Sequence, residues 1–80
     1  MTKLAKQRVV TAAELGEYVR GVRRSQGVDQ VTAAGLAGVG PRFFGELERG
    51  KESLRLGLVL RVLERLGLEV WIVPRGRRHE

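Results

Sequence analysis

Glycine breaks constrain this chain more than any other feature. Gly27, the run Gly38-Val39-Gly40, Gly50 and Gly67 each close a segment suited to a short helix, so the residues up to 67 read as four short helices. Thr11, followed three positions later by Glu14, is a capping box in which each side chain satisfies a free amide, and it starts the first helix near 11–12. Leu15, Val19 and Val22 make its inward stripe, while Arg20, Arg23 and Arg24 crowd the last turn, where cations suit the helix dipole. Residues 29–37 are rich in alanine, with Asp29 as N-cap and Ala34 and Ala37 small enough for a neighbour to approach closely. Pro41 fits the first turn of a third helix because its missing N–H would be unpaired there. Phe44 and Leu47 then face inward and the helix closes at Arg49. Leu56, Val59, Leu60, Leu63 and Leu66 define the apolar face of a fourth helix starting between 54 and 58.

After Gly67 the period changes. Residues 68–73, LEVWIV, are mostly β-branched or aromatic and predict a strand stopped by Pro74. Leu68, Val70 and Ile72 share one face, and Glu69, Trp71 and Val73 the other. One face is expected to cover the helices of its own subunit and the other a second subunit or a partner protein. Apart from a possible short Arg8-Val9-Val10, the chain offers no strand to pair with, so the natural partner is the same strand of another copy. The expected fold is thus all-α with four short helices, followed by a C-terminal β-strand paired across a dimer. Residues 1–10 form a flexible basic arm, 11–67 the helical domain, 68–74 the dimerisation strand (Leu68, Val70, Trp71, Ile72 and Val73), and 75–80 a disordered tail.

Length agrees with this reading. Eighty residues enclose one core, and a core that small needs a staple, a metal or a second subunit. There is no cysteine, and His79 sits in a charged tail without a second ligand, which leaves the second subunit and no expected metal or cofactor. Fifteen Lys and Arg against nine Asp and Glu give +6, the balance of a protein with a polyanionic partner. No apolar run approaches the roughly 18 residues of a spanning helix and no cleavable signal pattern opens the chain, so a cytoplasmic protein without membrane insertion is expected.

Two short helices joined by a tight glycine-containing turn, inside a basic helical domain, are the arrangement of a helix-turn-helix. Leu15-Gly16-Glu17, Arg23, Gly27, Gln30, Ala34, Gly38-Val39 and Leu47-Glu48-Arg49-Gly50-Lys51 stand at the spacing of the Cro/repressor-type (Xre-like) helix-turn-helix family, which residues 15–67 resemble without a gap. Leu60-Arg61-Val62-Leu63-Glu64, Leu66-Gly67-Leu68-Glu69 and Val73-Pro74-Arg75 resemble the HipB-like antitoxin branch, whose fourth helix leads into a strand that pairs across the dimer.

The resemblance implies roles. Gln30 matches the start of the second helix, where an amide donates to phosphate and braces the recognition helix. Pro41, Arg42 and Glu46 match the positions that face the major groove. Arg42 can take both acceptors of guanine or meet a phosphate; Glu46 can accept from cytosine or pair with Arg42 at i,i+4. Phe43 borders this face, either touching a thymine methyl or packing inward. Arg49, Lys51, Arg20 and Arg24 are expected on phosphates. Arg23 and Glu48 match positions that pair between the first and third helices. Ala33 stands where the family usually has leucine, a gap that Leu36 is able to fill by turning inward. Gly35 weakens the second helix, and Gly40 replaces the usual hydroxyl cap.

The reading implied is a sequence-specific, DNA-binding transcriptional repressor that acts as a homodimer on a double-stranded operator and serves as the antitoxin of a HipA-like kinase toxin, in a type II toxin-antitoxin module that autoregulates its operon. The alternatives are a stand-alone regulator without a toxin and a protein-interaction module that has lost DNA binding. No nucleophile stands beside a base, no metal-ligand set is present, and Gly35, Gly38 and Gly40 lack the order and strand context of a nucleotide-binding loop, so an enzyme is not expected.

Overall fold

The computed structural model describes residues 6–76; His79 and the ends of the basic arm and tail lie outside the described residues. Within them the chain forms α1 (Ala12–Ser25), α2 (Gln30–Ala37), α3 (Pro41–Glu48) and α4 (Leu56–Arg65). Local chemistry sets each start. The Thr11 hydroxyl accepts from the Glu14 amide at 3.0 Å, and the Glu14 carboxylate accepts from the amides of Val10 and Thr11. Asp29 accepts from the Thr32 amide at 2.7 Å and caps α2. Pro41 opens α3 behind Gly40, which supplies no side-chain cap.

The helices pack α3 against both α1 and α2, with α2 resting on α4. Their shared core is Val19, Val22, Ala33, Ala34, Ala37, Phe44, Leu47, Val59, Val62, Leu63 and Leu66, with Phe44 fully enclosed between its neighbours. At Gly16 the backbone of α1 comes directly against that of α3. A Cβ there would lie 2.9 Å from the Glu48 carbonyl carbon and closer still to the carbonyl oxygens of Leu47 and Glu48. Gly50 turns the chain away from α3 with φ +83°, and a Cβ on it would meet the Ala13 backbone at 2.7 Å.

Three packing expectations are corrected. Leu56 and Leu60 do not belong to the inward face of α4: both are exposed, and Val62 is buried instead. Residues 59, 62, 63 and 66 form one stripe at helical spacing, and α2 lies against that stripe, which turns Leu56 and Leu60 to the other side. Leu36 does not fill the place left by Ala33; it is exposed, and the face of α2 toward the core consists of Ala33, Ala34 and Ala37. The segment after Gly67 does not lay an apolar face over its own helices beyond Leu68. Leu68 packs against the core and its amide donates to the Leu63 carbonyl at 2.9 Å, but Ile72 is 93% exposed and Val70, Trp71 and Val73 are also exposed. Residues 68–74 form neither helix nor strand among the described residues, because a strand needs a neighbour for its amides and carbonyls.

α2 is held at its C-terminus by α4. Arg61 donates to the Gly38 carbonyl at 3.0 Å and Arg65 to the Leu36 carbonyl at 3.3 Å, placing two cations on the negative end of the α2 dipole. Gly35, also within a helix, differs sharply from Gly16. It has open space around its missing Cβ, so Gly35→Ala is expected to stabilise the fold by about 0.5–1 kcal/mol through helix propensity. Gly16→Ala forces backbone apart and is expected to cost about 1–3 kcal/mol or more. Thermal melts of the two variants beside the parent check both signs.

Candidate nucleic-acid interface

α3 presents two unlike sides. Phe44 and Leu47 are buried behind it, whereas Pro41 and Arg42 open its exposed N-terminal end. Arg42 leaves 89% of its side chain in solvent. Arg42 Nε donates to Glu46 Oε2 at 3.3 Å, and Lys51 Nζ, arriving from beyond Gly50, donates to the same oxygen at 3.4 Å. Burial pushes the Glu46 carboxyl up, but the bonds from Arg42 and Lys51 outweigh it and hold the group below its ordinary value. Of the two readings open for Glu46, the free chain therefore forms the pair at i,i+4. Phe43 is half-buried and packs against the core.

A second carboxylate anchors the helix from behind. Arg23 Nε donates to Glu48 Oε2 at 2.6 Å, Arg23 Nη2 to Glu48 Oε1 at 3.1 Å, and Gln30 Nε2 to that same Oε1 at 2.8 Å. The remaining Arg23 nitrogen donates to the Val28 carbonyl at 3.0 Å. One buried carboxylate thus links α1, α2 and α3, with only 3% of its side chain and 11% of that of Arg23 exposed. Burial raises the Glu48 carboxyl, and the bonds from Arg23 and Gln30, with the charges of Arg23 and Arg20, bring it below its ordinary value. Gln30, Arg49 and Gly45 meet at one point: a Cβ on Gly45 would sit 3.2 Å from the Arg49 guanidinium and 3.6 Å from Gln30 Oε1. Arg20 and Arg24 are exposed on the outer side of α1.

No protein-family model matches the chain. Over 74 residues it is 43% identical to the uncharacterized HTH-type transcriptional regulator y4mF of Sinorhizobium fredii, spanning 92% of this chain and 97% of that relative. The chain belongs to the HTH-type transcriptional regulators. Among solved structures the regulator is similar to the restriction-modification controller protein C.AhdI of Aeromonas hydrophila, at 29% identity and a TM-score of 0.64 over 72% of this chain and 84% of that one. It also shares its fold with HipB in the HipB-O4 20mer complex, at 18% identity and a TM-score of 0.79, covering 88% and 99% of the two chains. A chain of the HipA-HipB-O2-O3 complex gives a TM-score of 0.78 at 18% identity over 88% and 99%.

Sequence reasoning finds the two glutamates of this regulator but not everything that fixes them. Gly16 enters only as part of a family pattern, although it is what lets α1 approach the end of α3; a glycine facing an inward stripe is the available signal. Lys51 is expected on phosphate alone, and its bond to Glu46 depends on the turn at Gly50. Arg61 and Arg65 carry no signal, since their acceptors are carbonyls 23 and 29 positions away. Among the described residues no helix is long and apolar enough to cross a membrane.

The sign of the acid dependence follows from Glu48. The unfolded chain holds its carboxyl near the ordinary 4.5 and the folded chain below it. Unfolded molecules therefore bind more protons in that range, and stability rises with pH. The contribution is complete above 4.5 and is lost as pH falls through the folded value. Glu48→Gln, which keeps one acceptor oxygen but removes the carboxylate paired with Arg23, is expected to lose toward the lower end of about 3–5 kcal/mol at neutral pH. Urea titrations should show a flatter stability profile below pH 4.5 for this variant than for the parent.

Proposed function

We propose that this regulator is a sequence-specific repressor that binds a double-stranded operator as a homodimer, with α3 as the recognition helix. The observation that carries the reading is the two-sidedness of α3. Its rear is locked by Phe44, Leu47 and the Arg23–Glu48–Gln30 group, while Arg42, near its N-terminal end, projects into solvent. A recognition helix needs this combination, because base edges are read by side chains near its N-terminus and a loose helix would blur the register. Arg42 is the base reader, able to take guanine O6 and N7 together, with Pro41 beside it and Glu46 one turn behind. Arg49, Lys51, Arg20 and Arg24 supply phosphate contacts, and Gln30 reaches phosphate with the N–H that Glu48 does not use. The fold shared with HipB in the HipB-O4 20mer complex supports this reading.

The dimer forms through residues 68–74. Val70, Trp71, Ile72 and Val73 are a contiguous apolar run with its backbone unpaired in a strand, and the same segment of a second copy would give it both a ladder and cover. Two-fold symmetry then sets the recognition helices about 34–36 Å apart, one turn of DNA. Residues 1–10 act as the basic arm and 75–80 as the tail. The second protein partner is a HipA-like kinase toxin, which makes the regulator the antitoxin of a self-repressing, cytoplasmic toxin-antitoxin module. That half rests on the resemblance of residues 60–75 to the antitoxin branch and on the fold shared with the HipA-HipB-O2-O3 complex. The likeness to C.AhdI favours a second reading, a stand-alone regulator without a toxin. Co-purification with the kinase-like product of an adjacent gene separates the two.

Fluorescence anisotropy on a duplex from upstream of the gene, beside a scrambled duplex, tests the operator reading. Binding should prefer the native duplex and fall steeply between about 50 and about 200 mM salt. Arg42→Ala should lose about 1–3 kcal/mol of that preference. Equal binding to both duplexes by the parent protein rejects operator recognition at that site. The dimer is checked by sedimentation: Ile72→Glu should yield monomers with unchanged helical circular dichroism, since Ile72 touches little of its own subunit.

A further inference from the structure

The two cations that flank the exposed side of α3 are not independent. Arg42 reaches Glu46 from one turn earlier on the helix, and Lys51 reaches it from beyond the turn at Gly50. Both donate to the same oxygen, Oε2, at 3.3 and 3.4 Å. Glu46 is the more enclosed member of the group, with 18% of its side chain exposed against 89% for Arg42 and 47% for Lys51. A carboxylate fixed at the floor of a DNA-facing surface, with a solvated guanidinium and ammonium drawn toward it, has two physical effects. It cancels one of two positive charges where a polyanion would bind. It also biases Arg42 to lie back along the α3 axis rather than sweep freely.

We infer that Glu46 is a positioning and specificity-determining residue that works by restraining Arg42 and Lys51, rather than by reading a base itself. This rests on the operator reading of α3. On any duplex, phosphates compete with Glu46 for both cations, and the fixed negative charge opposes the approach. Nonspecific binding consists almost wholly of such cation–phosphate contacts, so it bears this cost in full. On the operator, Arg42 also gains the acceptors of a base edge, and its restriction to one sector of space reduces the freedom lost on binding. The single carboxylate therefore suppresses wrong sites more than the right one and widens the gap between them.

The test compares the parent, Glu46→Gln and Glu64→Gln, the last removing one exposed acidic charge on α4, by anisotropy on native and scrambled duplexes across a salt series. The expected result is that Glu46→Gln binds the scrambled duplex roughly two- to fivefold more tightly, a size set by release of exposed ion pairs. Its salt slope on that duplex should steepen by up to about 0.9, the contribution of one further phosphate neutralised. The native duplex should gain less or lose affinity, so the native-to-scrambled ratio falls. In the DNA-free protein the Arg42 Nε–Hε resonance should shift in Glu46→Gln and stay in place in Glu64→Gln. Circular dichroism melts confirm that both variants fold.

Three outcomes overturn the inference. In the first, Glu46→Gln keeps the parent ratio and salt slope, or merely matches Glu64→Gln. In the second, scrambled binding is unchanged and native binding is lost in a way that tracks a single base pair, which makes Glu46 a direct base contact. The operator reading stands in both. In the third, the parent shows no salt-dependent binding to either duplex; the operator reading then fails and the inference falls with it.

Discussion

The Glu48 carboxylate is the point on which the arrangement of the helices depends. It sits on α3, accepts from Arg23 of α1 and Gln30 of α2, and is almost entirely withdrawn from water. A buried charge is tolerable only when its acceptor sites are filled, so both partners must arrive together. Arg23 is fixed in turn by the carbonyl of Val28, in the turn that leads into α2. Hydrophobic burial is weakly directional, whereas a bidentate guanidinium–carboxylate contact fixes both distance and angle. In a domain this small, that contact sets the pose of the exposed side of α3.

The need for such polar fixing is greatest at α2. Its inward side is alanine throughout, which allows close packing but gives little shape to interlock. Position is supplied at its two ends instead. Gln30 ties the start to Glu48, and Arg61 and Arg65 tie the last carbonyls to α4. The larger apolar side chains of this helix, Val31 and Leu36, point outward.

Two glutamates, two positions apart on α3, have opposite settings. At roughly 100° per residue they lie about 200° apart around the helix, so they leave it on opposite sides. Both carboxyls are held below their ordinary value by cationic partners despite the opposing effect of burial. Glu48 is enclosed with its partners and serves architecture. Glu46 has partners that remain largely in water and are free to exchange for other anions.

The sequence by itself determined the helices. The Thr11–Glu14 box, the Asp29 cap, Pro41 and the closing glycines act within a few residues, and local hydrogen bonds and backbone freedom suffice to read them. The Arg23–Glu48 pair was legible only through resemblance, because nothing local joins residues 25 positions apart. The rotation of α4, which leaves Leu56 and Leu60 outside and takes Val62 inside, was decided by tertiary structure, as were the outward turn of Leu36 and the dense contact at Gly16. An apolar pattern specifies a stripe wide enough for several rotations, and only the neighbouring helix selects among them. The segment after Gly67 marks the remaining boundary. Its residues favour a strand, but strand formation is a property of a pair, and a single chain with no second strand among its described residues leaves that preference unmet.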